Sequence, residues 1–162
     1  MLIPEKIAQA RQILSELEID CWITFTRETQ ITGDPTLPFL AEGDLTWHSA
    51  LIVTRDHGTH AIVGQYDRQS VEETGGYDRV VGYVEGIKAP LVEYLKSLAP
   101  RSVALNFSRE NEISDGLTHG MYLTLLDLLA EAGLADRVVS AERIIVALRQ
   151  RRRIATPPSN QA

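Results

Sequence analysis

The sequence predicts a three-layer α/β domain in which helices cover a mixed β-sheet. β-rich segments alternate with amphipathic helical segments along most of the chain, which is typical of parallel strands joined by helices. Two β-rich segments follow each other across a short turn, which adds an antiparallel hairpin to the same sheet. The length of 162 residues suits one domain with a substantial core.

The first elements are a helix, a strand and a long connection. Apolar residues at helical spacing predict an amphipathic helix over residues 4–18, with Lys6 and other polar residues on its solvent face. Residues 21–26 are predicted to form a mostly buried strand. The segment 27–45 contains Gly33, Pro35 and Pro38 and has no period. Connections of this length are functional or pack on their own side chains, and the sequence leaves both open.

The remaining elements follow in alternation. Two β-rich runs, 47–54 and 59–64, flank a turn and predict a β-hairpin. The later elements are expected as a short helix over 67–74, a strand over 79–84, a helix over 89–98, a strand over 102–107, a polar loop over 108–116, a long helix over 117–132, a short strand over 137–139 and a last helix over 141–151. Residues 1–152 are therefore expected to form the domain, and residues 153–162 a disordered tail.

Composition excludes several classes of protein. The net charge of −6 and the pI of about 5.2 argue against general nucleic-acid binding, which needs a basic face. Cys21 is the single cysteine, so no internal disulfide forms, and a reducing cytoplasmic compartment is expected. The N-terminus lacks the pattern of a signal peptide, and no apolar run approaches the length that spans a bilayer. A soluble protein with no membrane partner is expected.

No catalytic residue or metal ligand is predicted from the residues alone. A dinuclear metal site needs several carboxylates and a histidine that converge, whereas His57 and His60 lie in or beside the predicted hairpin turn, where a solvated turn explains them. Asp115 or Thr118 is explained as a helix N-cap, with His119 in the first turn that follows. The chain contains neither a Gly-x-Ser-x-Gly elbow nor a phosphate-binding loop.

Several short strings occur in a defined order between residues 3 and 152. They are ITG at 31–33, HSALIV at 48–53, AIV at 61–63, VVGY at 80–83 and AERIIVALR at 141–149. In this order and spacing they resemble the N-terminal domain that precedes the pita-bread catalytic domain in creatinases, Xaa-Pro aminopeptidases and Xaa-Pro dipeptidases. The resemblance implies a ribonuclease H-like mixed sheet. After Arg152 the sequence does not continue as the family does.

The resemblance implies a non-catalytic accessory domain. Such a domain packs on the catalytic pita-bread domain or a partner subunit, helps form a homodimer and shapes the active-site entrance. The divalent metal pair belongs to the catalytic half, so no cofactor is expected in this chain. Candidate interface or pocket-edge residues are Asp34, Pro35, Leu37, Phe39, Trp47, His48 and His119. The alternative is an independent small-molecule-binding or enzymatic α/β domain with an unrecognised pocket.

The apolar residues of the long connection suggest a further expectation. Leu37, Phe39 and Leu40 are expected to form an exposed apolar patch, because a purely solvated loop has no need of them. Exposed apolar patches of several hundred Å² mark interaction sites. A symmetric dimer is the simplest way for identical chains to cover one.

Overall fold

The computed structural model describes residues 2–152, which form a mixed β-sheet between two layers of helices. The helices of this part of the chain are α1 (Leu2–Leu17), α2 (Arg68–Glu73), α3 (Lys88–Leu98), α4 (His119–Glu131) and α5 (Glu142–Gln150). Its strands are β1 (Cys21–Thr26), β2 (Ser49–Thr54), β3 (Thr59–Gly64), β4 (Arg79–Tyr83), β5 (Val103–Leu105) and β6 (Val138–Ser140). The predicted fold class is confirmed. The expected tail, 153–162, lies outside the described residues.

The sheet has the strand order β4-β3-β2-β1-β5-β6 within residues 2–152. Strand β2 runs antiparallel to both of its neighbours, β1 and β3, whereas the pairs β3–β4, β1–β5 and β5–β6 are parallel. Every described strand except β2 therefore ends at the same edge of the sheet. That carboxyl edge is where the loops of an open α/β sheet converge and ligands usually bind.

Each face of the sheet carries its own core, because successive residues of a strand point to opposite faces. On one face, Trp22, Leu51 and Val63 pack with the apolar sides of α1, α2 and α5. On the other face, Ile23, Ile52 and other strand residues pack with α3 and α4. β1 and β2 are buried throughout, and burial on both faces explains why they are mostly apolar instead of alternating.

Lys6 corrects the prediction for the first helix. It was expected on the solvent face of α1, but its exposed fraction is only 4%. Its Nζ atom donates hydrogen bonds to the main-chain oxygens of Leu148 at 3.2 Å and Arg151 at 2.7 Å. These carbonyls end α5, where a cation also complements the helix dipole. Burial, opposed in part by Glu5, lowers the pKa of Lys6.

No helix within residues 2–152 has both the length and the apolar character needed to cross a membrane.

Candidate functional site

A buried polar network anchors the long connection 27–45 to the sheet. Asn106, which follows β5 and is fully buried, accepts a hydrogen bond from Trp22 Nε1 at its Oδ1 atom (2.7 Å). Its Nδ2 atom donates to Thr24 Oγ1 at 3.1 Å and to Asp34 Oδ2 at 3.0 Å. The other carboxylate oxygen of Asp34 accepts from the main-chain N and the hydroxyl of Thr36, at 2.8 and 2.6 Å. The network therefore holds the connection in one position above β1 and β5.

Gly116 packs directly against this network. A Cβ atom at this position would collide with both carboxylate oxygens of Asp34. The absence of a side chain lets the 108–118 segment approach the anchored connection 27–45. This close approach places the start of α4 beside the carboxyl edge of the sheet.

A cleft of about 690 Å³ opens at the carboxyl edge. Five parts of the chain form its walls: the end of β1, the start of the connection 27–45, the segment before β2, the end of β4 with the segment after it, and the residues at the start of α4. The lining residues are Phe25, Thr26, Arg27, Glu28, Ile31, Thr32, Thr46, Trp47, His48, Tyr83, Val84, Glu85, Gly86, Gly116, Thr118 and Met121. The volume lies within the range of small-molecule sites, about 300–1,000 Å³.

One wall of the cleft is aromatic. The rings of Trp47 and Tyr83 stack with centroids 5.7 Å apart, and Tyr66 meets the indole edge-on at 5.9 Å. Trp47 lies against Gly64, where an added Cβ would stand 2.7 Å from the indole ring. The Tyr83 hydroxyl donates to the His48 main-chain oxygen at 2.7 Å. Burial, with a further effect of Asp67, raises the pKa of Tyr83 to about 12, so this hydroxyl stays protonated.

The permanent cation of the cleft is Arg27. Arg27 lies directly after β1, where the chain is still paired with the segment before β2, since the main-chain N of the next residue, Glu28, donates to Thr46 O at 3.0 Å. Burial and the positive charge of Arg27 both lower the pKa of His48, which is therefore neutral at pH 7. Its ring lies 5.7 Å from that of Phe25. Glu28 has a φ of 45°, a left-handed conformation that is rare for residues other than glycine and asparagine.

The structure places the predicted site residues in three different environments. Trp47 and His48 line the cleft, and Asp34 lies beneath it in the buried network. Leu37 and Phe39 are half-buried against the α1 side of the core. Pro35 and His119 are exposed and lie outside the cleft lining. The role of all seven residues as an interface or pocket edge remains a prediction.

The expected apolar patch at Leu37, Phe39 and Leu40 is corrected. Leu40 is 1% exposed, and Leu37 and Phe39 pack against the core that lies between the sheet and helices α1, α2 and α5. A 3-10 turn at Leu37–Phe39 folds these side chains back onto α1, where the Phe39 ring also lies 5.2 Å from the Lys6 ammonium. Several of the exposed large apolar side chains instead lie at or near the cleft. They include Ile31, Trp47, Tyr66 and Val84.

His60 is also corrected. A solvated turn was expected to explain it, but it lies beside the turn in β3, within the predicted run 59–64, and stacks on Tyr94 with ring centroids 3.8 Å apart. Burial, with the nearby charge of Arg79, lowers the pKa of His60 to about 4. His57, in contrast, is exposed in the turn, as predicted.

Sequence reasoning missed Arg27, Tyr83 and Glu85 as cleft residues. Each of them lies at or just beyond the end of a predicted strand, and this position could have indicated a place at the carboxyl edge of the sheet. The carboxyl ends of strands in one sheet meet at the same edge, but their convergence required the strand order. That order places β4 three strands away from β1.

The described residues offer little for nucleophilic or metal chemistry. Within residues 2–152, no group of three or more His, Cys, Asp or Glu side chains is placed to hold a metal ion. Burial raises the pKa of the Cys21 thiol far above its ordinary value, which suppresses the reactive thiolate. The cleft can instead offer charges, hydrogen-bond donors and aromatic surface to a bound group.

Neither protein-family models nor curated proteins match this chain. Among solved structures, a proline dipeptidase from Streptococcus pneumoniae TIGR4 is similar, with a TM-score of 0.65 and 18% identity over 91% of this chain and 99% of that one. The creatinase/prolidase N-terminal domain of an X-Pro dipeptidase from Streptococcus pyogenes has a TM-score of 0.61 and 15% identity, covering 88% and 98%.

A longer structure matches over only part of its length. The prolidase from Pyrococcus horikoshii OT3 has a TM-score of 0.57 and 13% identity over 87% of this chain, which covers 33% of the prolidase. The chain thus spans about a third of that prolidase and nearly all of the separately solved N-terminal domain. The fold is that of the creatinase/prolidase N-terminal domains of Xaa-Pro dipeptidases, as the sequence resemblance implied.

Proposed function

We propose that this chain is a non-catalytic accessory domain of a Xaa-Pro peptidase or creatinase-type metallohydrolase. The supporting observation is the extent of the structural match, which covers 98% of an isolated creatinase/prolidase N-terminal domain but 33% of a whole prolidase. The divalent metal pair and the hydrolytic residues then belong to the pita-bread catalytic domain, which is the proposed partner. A cytoplasmic location is part of the proposal and fits the single, buried cysteine.

The proposed packing surface surrounds the cleft. Ile31 is 81% exposed, Val84 is 71% exposed and Tyr66 is 89% exposed, and Trp47 lies beside them. Large apolar side chains gathered at one place on a surface mark contacts with another protein surface. We assign this surface to the catalytic domain or a partner subunit, so that the cleft borders the entrance to the active site.

Hydrolysis assays test the non-catalytic part of the proposal. The purified chain is incubated with Xaa-Pro dipeptides and with creatine, in the presence of Mn²⁺, Co²⁺, Zn²⁺ or a chelator. No turnover above the rate without protein is expected. Metal-dependent turnover that disappears with the chelator would overturn the assignment. The genomic sequence downstream tests the accessory role, since a reading frame with the two Asp, one His and two Glu metal ligands is expected there.

Sedimentation tests the dimer that the proposal includes. A homodimer is expected at tens of micromolar, and the double substitution Ile31→Ser, Val84→Ser is expected to dissociate it. Leu123→Ser is the matched control, because Leu123 is 48% exposed on α4 and does not line the cleft. A wild-type chain that stays monomeric at all concentrations, or equal effects of both substitutions, would contradict the proposed surface.

A further inference from the structure

The cleft contains charged side chains of both signs that have no partner in the described structure. Within residues 2–152, the Arg27 guanidinium and the carboxylates of Glu28 and Glu85 make no hydrogen bond or ion pair with another side chain. All three side chains are exposed at the cleft. A guanidinium presents a planar set of donors that matches a carboxylate, and carboxylates bind an ammonium group well.

The aromatic wall lines the same cleft as these charges. Trp47 keeps 37% of its surface exposed even though it is stacked on Tyr83 and packed on Gly64. Its ring is therefore both fixed in position and available for contact. Such a surface binds apolar side chains and, through the ring face, ammonium groups.

We infer that the cleft binds a small zwitterion with an apolar body, of the α-amino-acid type. Arg27 receives the carboxylate, Glu28 and Glu85 face the ammonium group, and the Trp47–Tyr83 wall contacts the apolar side chain. The fit rests on charge complementarity. The ligand carries one negative and one positive charge, and the cleft presents a guanidinium and two carboxylates that have no side-chain partner among the described residues. His48, being neutral, adds no competing positive charge at pH 7. This inference concerns the chain by itself and does not depend on the accessory role.

An NMR titration tests the inference with L-phenylalanine as the probe. The chain has two tryptophans, so two indole N–H signals report on two places. The Trp47 signal is expected to shift saturably with a dissociation constant in the millimolar range or below. The Trp22 signal is expected to stay in place, because that indole is buried and hydrogen-bonded to Asn106. No saturable shift of the Trp47 signal up to the solubility of the probe would overturn the inference.

Two analogues separate the charges of the probe. L-phenylalaninamide lacks the carboxylate and 3-phenylpropionate lacks the ammonium group, while both keep the ring. Each is expected to bind roughly tenfold more weakly than L-phenylalanine, since a charge-assisted hydrogen bond is lost. Equal binding of all three compounds would mean that only the aromatic wall acts, which contradicts the zwitterion.

The variant Arg27→Gln tests whether Arg27 is the group that binds the carboxylate of the probe. In this variant L-phenylalanine and its amide are expected to bind with nearly equal affinity, because the partner of the carboxylate is gone. Arg79→Gln is the matched control, since Arg79 begins β4 at the opposite edge of the sheet and is expected to leave the tenfold preference unchanged. A preference for the carboxylate that persists in Arg27→Gln would refute the role of Arg27. An unchanged Trp22 signal confirms that each variant is folded.

Discussion

Replacement of Asn106 by leucine is the strongest test of the network that holds the cleft. The two side chains have the same number of heavy atoms and the same branching, leucine being the bulkier, so the substitution removes the polar contacts and keeps the site filled. Three hydrogen bonds are lost, those with Trp22, Thr24 and Asp34. The Trp22 indole N–H and one carboxylate oxygen of Asp34 then remain buried without their partners.

The expected magnitude follows from these orphaned groups. Each buried polar group without a partner costs about 1–3 kcal/mol, and more when it is charged. Asn106→Leu is therefore expected to lower the free energy of unfolding by about 4 kcal/mol, a large part of the roughly 5–15 kcal/mol of a typical domain. At about 2–4 °C per kcal/mol for a chain of this size, the melting temperature falls by roughly 10 °C.

Urea unfolding followed by far-UV circular dichroism measures this loss. Asn111→Leu is the matched control, because Asn111 caps a short 3-10 turn in the neighbouring loop and accepts from the Ser114 main-chain N at 3.0 Å. Loss of such a cap costs about 1 kcal/mol. If Asn106→Leu proves no more destabilising than Asn111→Leu, the network does not anchor the connection as described.

Three further predictions concern single side chains. Lys6→Met is expected to lower the free energy of unfolding by about 2 kcal/mol, because the carbonyls at the end of α5 lose a buried charged donor. Lys88→Met removes an exposed ion pair and is expected to lower it by under about 1 kcal/mol. Equal urea midpoints for the two variants would show that Lys6 does not stabilise the end of α5. Burial lowers the pKa of His60 to about 4, so its stabilising contribution is complete above pH 6.5 and is lost as the pH falls toward 4. Between pH 7 and pH 5 the wild type is expected to lose more stability than His60→Phe, by roughly 1 kcal/mol once solvent screening of this half-exposed ring is allowed for, and parallel losses would argue against a depressed pKa. Gly116→Ala is expected to lower the free energy of unfolding by about 1–3 kcal/mol, because the added methyl group displaces Asp34. An unchanged melting temperature would contradict this expectation.

Local pattern was enough to predict the order and type of the main elements. Apolar spacing in α1 and α4, mostly apolar runs in β1 and β2 and the turn between β2 and β3 are properties of neighbouring residues. Their periods report directly on helix and strand geometry. The same order of elements carried the family resemblance, and the solved structures bear out the fold that it implied.

Long-range packing decided which polar side chains are buried and which residues form the cleft. Lys6 is buried because the end of α5, more than 140 residues away in sequence, lies against it. His60 stacks on Tyr94 of a later helix, and Leu40 folds onto the core through a turn with no sequence period. Arg27, Tyr83 and the start of α4 meet because the strand order brings the ends of β1 and β4 to one edge. A residue's own sequence neighbours determine its element, whereas its burial and its partners depend on segments that are distant in sequence and meet only when the sheet assembles.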